Sequence, residues 1–289
     1  LGSGRQSSAE MAAFANGVML RFLDLSDSYR VKSGGHPSDV LAAIFAVAEV
    51  ARANGQSVIA AIAVAYEVYC GFCAAIDVNS QGWDQPVYGV LASTLACGKL
   101  LGLSREHMGH AVALALAPNM ALHQARRGEL SHWKGCAAAN GSRNAVFAAL
   151  LARDGFTGPP AIFEGKAGLW DIVGRFDWPD LGGAPRRICG THIKCFPVNY
   201  HGQSAVWAAL ELRPQVSIDD IAAIRVEGYH SSVEEMASDP AHWAPQSHET
   251  ADHSMPYAVA TALLDGEITP ASFLEAKLKD PRKARLMRL

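Results

Sequence analysis

The stretch Ser38–Ile76, SDVLAAIFAVAEVARANGQSVIAAIAVAYEVYCGFCAAI, decides the fold class of this 289-residue chain. Two alanine-rich apolar runs are separated by the polar turn Asn54-Gly-Gln-Ser57. Alanine loses the least entropy in a helix, and a turn this short joins two helices into an antiparallel hairpin. We expect Ser57 to cap the second helix, Val58–Ile76. The sequence therefore predicts a tightly packed helical core around this pair.

Helical patterning continues on both sides of the pair, from about Ser8 to Val173. Apolar residues recur there at three- and four-residue spacing, the period of an amphipathic helix. Further helices are expected at Ala9–Leu23, Gly89–Leu101, Arg105–Leu116, Cys136–Arg153 and Ala167–Val173. The next segment, Asp177–Pro185, is dense in proline and glycine, which is typical of a connector. We therefore expect an all-helical domain over residues 1–180.

A smaller second domain is expected over residues 181–289. Ile221–Tyr229 alternates between apolar and polar residues, which is the period of a half-buried strand. Helical patterns lie on either side of it, at Gln203–Leu212 and Met255–Leu264. This mixture predicts an α+β domain, and the chain as a whole is expected to be mainly α. Because the sequence begins without methionine and ends without a capping glycine, we expect it to be incomplete at both ends.

The composition excludes several classes of protein. Apolar residues make up 49% of the chain and charged residues only 18%, which excludes a disordered protein. With 25 Lys and Arg against 28 Asp and Glu, the formal net charge is −3, so no basic excess is present for nucleic acid. No apolar run reaches the ~20 residues of a membrane span, and no signal peptide is visible. We expect a cytoplasmic protein with no nucleic-acid or membrane partner.

The cysteines and histidines give little support for a metal site. Cys70-Gly-Phe-Cys73 could be a redox dithiol or half of a zinc site, or two small buried side chains one helical turn apart. The chain has six cysteines but no second pair with this spacing, so we favour buried cysteines in a reducing compartment. The nearest histidine pair, His107 and His110, lies on a helix that we expect to be peripheral. We therefore predict no metal site.

A polar loop between two predicted helices could carry chemistry. Asp24, Ser28 and His36 lie close together in the sequence. The Gly34-Gly-His-Pro37 turn presents an imidazole at the entrance of a helix, where the peptide dipole favours anions and lowers a histidine pKa. The alternative is a polar interhelical loop with Ser38 as a cap. The sequence leaves both interpretations open.

Three further polar segments interrupt the apolar helices. Gln81–Gln85 contains Asp84 and Gln85, Gln124–Gly135 contains Arg127 and Lys134, and Thr191–Gln203 contains Lys194 and His201. A lysine at the mouth of an apolar helix can anchor an anion, whereas an aspartate such as Asp84 could equally be a helix cap. The chain has no Gly-x-Ser-x-Gly, G-x-G-x-x-G or Walker sequence, so neither a serine hydrolase nor a nucleotide cofactor is supported. The cations and imidazoles predict acid/base chemistry on a small polyanion.

Six segments carry a resemblance to the MmgE/PrpD family. They are Ala12–Gly17, Asp24–Asp39, Trp83-Asp84, Lys134 with its alanine-rich helix, Lys194–Gln203 and Glu249–Tyr257. They follow the family's order over nearly the whole chain, although family members are considerably longer. The resemblance implies a helical domain followed by an α+β domain, a homodimer formed through the helical domain, and no cofactor.

The resemblance also implies a reaction. The family includes 2-methylcitrate dehydratase, cis-aconitate decarboxylase and iminodisuccinate epimerase, and the step from Asp24 to His36 resembles the dehydratase branch. We therefore expect a cofactor-independent lyase that eliminates water from a small di- or tricarboxylate such as 2-methylcitrate. The alternatives are an epimerase or decarboxylase acting on another carboxylate, and a non-catalytic binding protein that retains the fold. The dehydratase branch carries Asp-His where this chain has Asp84-Gln85.

The residues of this site are expected in two groups. The catalytic group is Asp24, His36, Lys134 and His201, and the substrate-binding group is Ser28, Asp84, Gln85, Arg127 and Lys194. We expect Lys134 and Lys194 to bind substrate carboxylates, because the dianion formed on removal of an α-proton needs cationic neighbours. The two histidines would move protons, and Asp24 would orient an imidazole or act as the base.

Overall fold

The computed structural model describes residues 4–178 and 183–289, which pack into two units. Apart from the residues not described, the first unit contains residues 4–22, 26–124 and 135–192, and the second contains residues 23–25, 125–134 and 193–289. Helices dominate the described residues, which confirms the predicted mainly α class and the two-domain architecture. The predicted border between residues 180 and 181 lies outside the described residues.

The first unit is built on the alanine-rich runs. Its helices are α1 (Ala9–Arg21), α2 (Leu41–Val50), α3 (Gly55–Ala75), α4 (Pro86–Leu100), α5 (Arg105–Leu116), α6 (Trp133–Arg153), whose first two residues belong to the second unit, and α7 (Leu169–Val173). The bounds of α5 are those predicted. The predicted cap of α3 is wrong: the Asn54 side chain accepts a hydrogen bond from the Ser57 backbone N–H at 2.9 Å, so the helix begins at Gly55.

The core of the first unit lies between α3 and α4. Tyr69 and Tyr88 are fully buried and pack edge to face, with ring centroids 5.7 Å apart. The Tyr88 hydroxyl accepts a hydrogen bond from the Val78 N–H at 3.0 Å and lies 3.0 Å from the Ile76 carbonyl oxygen. Each ring thus adds apolar area to the core, and the polar tip of Tyr88 keeps its partners.

Helix α3 is a core helix that also carries the Cys70 and Cys73 thiols. Both thiols are buried, and burial raises the pKa of each. A thiol that stays protonated is a poor nucleophile and a poor metal ligand, which supports the prediction of buried structural cysteines. By length and composition, α3 is the one described helix that could cross a membrane, and half of its most apolar window is buried inside the protein.

A short hairpin in the first unit leads into the segment that contains His36. Strands β1 (Tyr29–Arg30) and β2 (Gly34–Gly35) pair antiparallel, with Tyr29 opposite Gly35. Gly35 lies so close to its neighbours that a Cβ there would be 2.3 Å from the Tyr69 hydroxyl oxygen. Only glycine lets the hairpin lie against the tyrosine at this distance. The hairpin therefore fixes the backbone just before His36.

The second unit is also helical over its described residues. Its helices are α8 (Gln203–Leu212), α9 (His230–Met236), α10 (His248–Ala251), α11 (Met255–Asp265), α12 (Glu275–Leu278) and α13 (Pro281–Leu286). The bounds of α8 are those predicted. Helix α11 supplies much of the apolar core, and most of its side chains are buried.

The strand predicted at Ile221–Tyr229 is wrong. These residues lie outside regular secondary structure, and within this segment the Ile224 backbone N–H donates to the Leu289 carbonyl oxygen at 3.2 Å. Ile221 and Ile224 pack against the apolar core, whereas Val226 and Tyr229 are 43% and 54% exposed. The packing residues are therefore three positions apart rather than two, and the alternation of the sequence does not correspond to a buried sheet face.

Candidate active site

Five charged or titratable side chains form a buried cluster in the second unit. They are Asp24, Lys134, Lys194, Asp252 and His253. The two lysine and two aspartate side chains are 1–4% exposed, and the His253 side chain is 10% exposed. Charged groups are seldom buried unless they are paired. A cluster of this kind is costly to build for stability alone, which makes it a candidate functional site.

Asp24 and Lys194 form one half of the cluster. The Lys194 ammonium donates to the Asp24 carboxylate oxygen Oδ2 at 2.6 Å and to the Asp24 backbone carbonyl at 2.8 Å. Asp24 has a φ of +49°, in the left-handed region that residues other than glycine seldom adopt. This backbone conformation lets the carbonyl and the carboxylate of one residue face the same ammonium group, and backbone strain of this kind concentrates at functional sites.

Lys134 and Asp252 form the other half. The Lys134 ammonium, near the start of α6, donates to both Asp252 carboxylate oxygens, at 2.9 and 3.0 Å. It also lies 3.7 Å from the carboxylate of Asp24, so it connects the two halves. The fold thus brings together Lys134 and Lys194, which were predicted to bind anions, and Asp24, which was predicted to be catalytic. Lys134 and Asp252 are 118 residues apart in the sequence, and Asp24 and Lys194 are 170 residues apart.

The Asp252 carboxylate also accepts a hydrogen bond from Nδ1 of His253, the next residue. Burial alone would raise the pKa of Asp252, but the Lys134 ammonium and His253 outweigh it and lower that pKa. Burial, together with the Lys134 charge, lowers the pKa of His253 to about 4. At neutral pH the cluster therefore contains an ionised Asp252 and a neutral imidazole.

Three groups of this cluster could in principle hold a metal ion. Ligand atoms of Asp24, Asp252 and His253 lie within 4.8 Å of one another. However, the ammonium groups of Lys134 and Lys194 already lie among these carboxylates, and a divalent cation would be repelled by both. The donor set therefore fits an anion better than a metal ion, and the absence of a metal stays a prediction.

A second polar group lies in the first unit around His36. The His36 ring donates from Nδ1 to the Asp27 carbonyl at 2.5 Å, because a carbonyl oxygen can only accept. The His36 backbone N–H donates to the Tyr69 hydroxyl at 3.0 Å. The Asp27 carboxylate accepts from the Tyr66 hydroxyl at 2.9 Å and from the Ser38 N–H at 2.9 Å. His36 is thus a buried, oriented imidazole.

Three predicted substrate-binding residues also lie in the first unit. Ser28 is fully buried, and its backbone exchanges two hydrogen bonds with His192, at 2.7 and 2.8 Å. The Asp84 carboxylate accepts from the Gln85 backbone N–H at 2.8 Å. The Gln85 side-chain oxygen lies beside Gly35, next to His36, where an added Cβ would be 2.8 Å from it. The structure therefore places Gln85 beside the backbone that directly precedes His36.

His201 and Arg127 lie elsewhere in the second unit. Nδ1 of His201 lies 2.5 Å from the Tyr229 hydroxyl oxygen, beside a cavity of about 670 Å³. Arg127 is exposed and forms an ion pair with Glu234 at 3.5 Å. Among the described residues, the contacts of Lys134, Asp252 and His253 include neither of them.

Asp252 and His253 were missed as site residues by the sequence analysis. They lie in Glu249–Tyr257, a segment that contributes to the family resemblance but was given no role. The available signal was an aspartate directly followed by a histidine in a polar gap before an apolar helix. In the fold this gap is the turn between α10 and α11, where Ser254 caps α11 by accepting from the Tyr257 N–H.

The fold and the site define a two-domain helical protein with a buried cluster of lysine, aspartate and histidine. Known protein families agree with this description: the MmgE/PrpD N-terminal domain matches residues 1–179, and the MmgE/PrpD C-terminal domain matches residues 196–289. The chain belongs to the MmgE/PrpD family, as its six segments predicted.

Several curated relatives are similar over nearly the whole chain. A 2-methylcitrate dehydratase of Cupriavidus necator is 30% identical, over 94% of this chain and 60% of that protein. A mitochondrial 2-methylcitrate dehydratase of Yarrowia lipolytica is 27% identical, over 97% of this chain and 58% of its own length. The 2-methylcitrate dehydratase-like protein oryR of Aspergillus oryzae is 30% identical, over 97% of this chain and 61% of that protein. The chain thus spans about 60% of the length of these relatives.

Proposed function

We propose that this chain provides the active site of a carbon–oxygen hydro-lyase that removes water from a small di- or tricarboxylate, with 2-methylcitrate as the first candidate. The observation that carries the proposal is the pair of buried ammonium groups, Lys134 and Lys194, held together by Asp24 and Asp252. The names of the relatives support the same reaction, since the relatives described above are 2-methylcitrate dehydratases or are named as similar to them.

The cluster suits a reaction that begins with removal of a proton next to a carboxylate. Negative charge then builds up on that carboxylate, and preorganised cations stabilise it most strongly where water is excluded. Asp24 and Asp252 hold the two ammonium groups in place before substrate arrives, so little reorganisation is needed. Because the two carboxylates and the two ammonium groups balance in charge, a bound substrate carboxylate would share these ammonium groups with the aspartates.

Gln85 favours a second candidate, an epimerase or decarboxylase acting on another carboxylate. The amide of Gln85 cannot carry a proton where the dehydratase branch is expected to have an imidazole. This side chain lies next to the His36 segment, so the difference would affect a proton transfer there. Both reactions would still use the two lysines to bind a carboxylate.

Turnover of defined carboxylates tests the proposal. The purified chain is incubated with 2-methylcitrate, citrate, cis-aconitate and iminodisuccinate, and products are followed by ultraviolet absorbance for the alkene and by NMR for all species. We expect an alkene from 2-methylcitrate. Decarboxylated or epimerised products would support the second candidate, and no turnover of any substrate would overturn the enzyme proposal in favour of a binding protein.

Substitution of Lys134 and Lys194 tests whether the two buried ammonium groups bind the substrate. Lys134→Met and Lys194→Met should each lower kcat/KM by about 10- to 100-fold, because a charge-assisted hydrogen bond contributes about 1.5–3 kcal/mol. The matched control is Lys279→Met, which removes a lysine whose side chain is 74% exposed, and it should leave kcat/KM unchanged. Circular dichroism checks that each variant is folded. A kcat/KM that is unchanged in both cluster variants would contradict this site.

The homodimer and the cytoplasmic location stay predictions. Light scattering during size-exclusion chromatography would measure the mass of the assembly directly. A monomer that turns over substrate would show that the proposed chemistry does not need a second copy.

A further inference from the structure

The turn between α10 and α11 places an aspartate and a histidine side by side at the buried cluster. We propose that His253 is the base that removes the substrate proton, and that Asp252 positions its ring. This assignment rests on the carboxylate chemistry proposed above. It goes beyond the expected catalytic group, which contained neither residue.

The hydrogen bond between the two residues fixes the tautomer of His253. An ionised carboxylate can only accept, so Nδ1 of His253 must carry the hydrogen that is shared with Asp252. In the neutral imidazole the lone pair then lies on the other nitrogen, Nε2. The carboxylate also stabilises the imidazolium that forms when Nε2 takes a proton, as in catalytic triads.

Asp252 is itself held on several sides. Its two carboxylate oxygens accept from the Lys134 ammonium at 2.9 and 3.0 Å. Its backbone carbonyl accepts from the Asn199 N–H at 2.8 Å, and its backbone N–H donates to the His248 carbonyl at 3.0 Å. The His253 N–H donates to the Thr250 carbonyl at 3.1 Å. A ring attached to so constrained a partner keeps one orientation, which a general base requires.

His253 is also the most accessible member of the cluster. Its side chain is 10% exposed, against 2% for Asp252 and 4% for Lys134. A base must reach the proton that it removes, and a fully enclosed group could not. The imidazole therefore combines a fixed orientation with a greater exposure than its neighbours in the cluster.

Burial and the Lys134 charge keep the ring in its basic form, and they outweigh the opposite effect of the Asp252 and Asp24 carboxylates. The pKa of the ring is affected by the charges of Lys134, Asp252 and Asp24. A further titratable group, His248, lies nearby, with its Nε2 3.8 Å from the Asp252 carboxylate. Burial and the Lys134 charge lower the pKa of His253 to about 4, so the ring is neutral at neutral pH. A substrate that brings negative carboxylates close to it would raise this pKa towards the working pH, where a general base is most effective.

The elimination conserves every atom and electron pair. Nε2 of His253 takes the proton from the carbon next to the substrate carboxylate, and the electron pair of that C–H bond becomes the second bond of the alkene. The C–O bond to the neighbouring hydroxyl breaks. The imidazolium returns its proton to the departing hydroxide, so the products are the alkene and one water molecule, and His253 is neutral again.

The main test is His253→Asn, because the asparagine amide can still donate to Asp252 but offers no basic nitrogen in place of Nε2. We expect kcat on the accepted carboxylate to fall about 10²- to 10⁴-fold, the range for loss of a general base, while KM changes less than about threefold. The matched control is His230→Asn, since the His230 side chain is 90% exposed, and it should keep wild-type kcat.

Two further measurements separate a catalytic role from a structural one. In His253→Ala, added imidazole should restore part of the lost activity, which does not occur when the histidine only supports the fold. In the wild-type chain, ¹⁵N NMR of the histidines should show His253 protonated on Nδ1 at neutral pH. A ring protonated on Nε2, or a failure of imidazole to restore activity, would overturn the assignment.

The outcomes also separate this assignment from the proposed function. If the wild-type chain turns over a carboxylate and His253→Asn retains that activity, the proposed function stands and the role of His253 is wrong. If the wild-type chain turns over none of the four carboxylates, the proposed function fails and the assignment fails with it.

Discussion

Mild acid should destabilise the second unit through His253. The free imidazole has a pKa of 6.5, whereas burial and the Lys134 charge lower the pKa of His253 to about 4 in the folded chain. Between these values the unfolded chain binds a proton that the folded chain does not. Stability therefore rises with pH across this window, is fully present above about pH 6.5, and is lost as the pH falls towards 4.

The size of the effect follows from the same two values. Each pH unit inside the window changes the free energy of unfolding by about 1.4 kcal/mol, so the whole window corresponds to roughly 3 kcal/mol. Below pH 5 Asp252, whose pKa is lowered in the folded chain, begins to take up a proton in the unfolded chain and adds its own contribution. Measurement between pH 7 and pH 5 therefore avoids most of the carboxylate titration, and the loss expected there from His253 is about 2 kcal/mol. Burial also lowers the pKa of His242, so the difference between the wild-type chain and a variant without the His253 ring isolates the His253 contribution.

Urea unfolding at pH 7.0, 6.0 and 5.0, followed by circular dichroism and tryptophan fluorescence, measures this loss. His253→Asn lacks the titrating ring and should lose about 2 kcal/mol less than the wild-type chain between the first and last pH. His230→Asn is the matched control, because that side chain is 90% exposed, and it should follow the wild-type chain.

Equal losses of unfolding free energy between pH 7 and pH 5 in the wild-type chain and in His253→Asn would refute this prediction. They would mean that His253 titrates normally in the folded chain, and that the neutral ring beside an ionised Asp252 is not its state at neutral pH. The proposed base would then lose its electrostatic support, although the hydrogen bond between the two residues would remain.

Three other predictions concern the first unit. Tyr66→Phe removes the hydroxyl that donates to the Asp27 carboxylate at 2.9 Å, and it should lower the free energy of unfolding in urea by about 1–3 kcal/mol. Gly35→Ala places a Cβ 2.3 Å from the Tyr69 hydroxyl oxygen, and it should cost about 1–3 kcal/mol in the same assay, whereas Gly55→Ala meets no atom within 4 Å and should cost nothing. Gln85→His should raise alkene formation from 2-methylcitrate, measured by absorbance, because an imidazole can carry a proton; an unchanged rate would mean that Gln85 only supports its neighbours.

The sequence predicts the long helices well because their signals are local. The bounds of α5 (Arg105–Leu116) and α8 (Gln203–Leu212) follow from their apolar spacing and flanking residues. Helices such as α10 (His248–Ala251) and α12 (Glu275–Leu278) have four residues each, too few to show a helical period. The strand predicted at Ile221–Tyr229 is wrong because a period of two does not by itself supply a neighbouring strand to pair with.

The site could be predicted only in part, because its chemistry lies in pairs that are distant in the sequence. Composition and motifs point to Asp24, Lys134 and Lys194 one at a time. Their neighbours decide what each can do: Lys134 alone is an anion anchor, whereas Lys134 bonded to Asp252 also fixes that carboxylate.

His253 cannot be recognised as a base from the sequence for the same reason. A histidine in a polar turn is most often an exposed or capping residue, and nothing in an Asp-His dipeptide indicates which nitrogen carries the proton. That information comes from Lys134, which lies 118 residues before Asp252 and keeps the carboxylate ionised and in place. The ionised carboxylate in turn requires the hydrogen on Nδ1 and leaves the lone pair on Nε2. The reactivity of His253 is therefore a property of three side chains that the fold brings together, and it can be inferred only once their contacts are known.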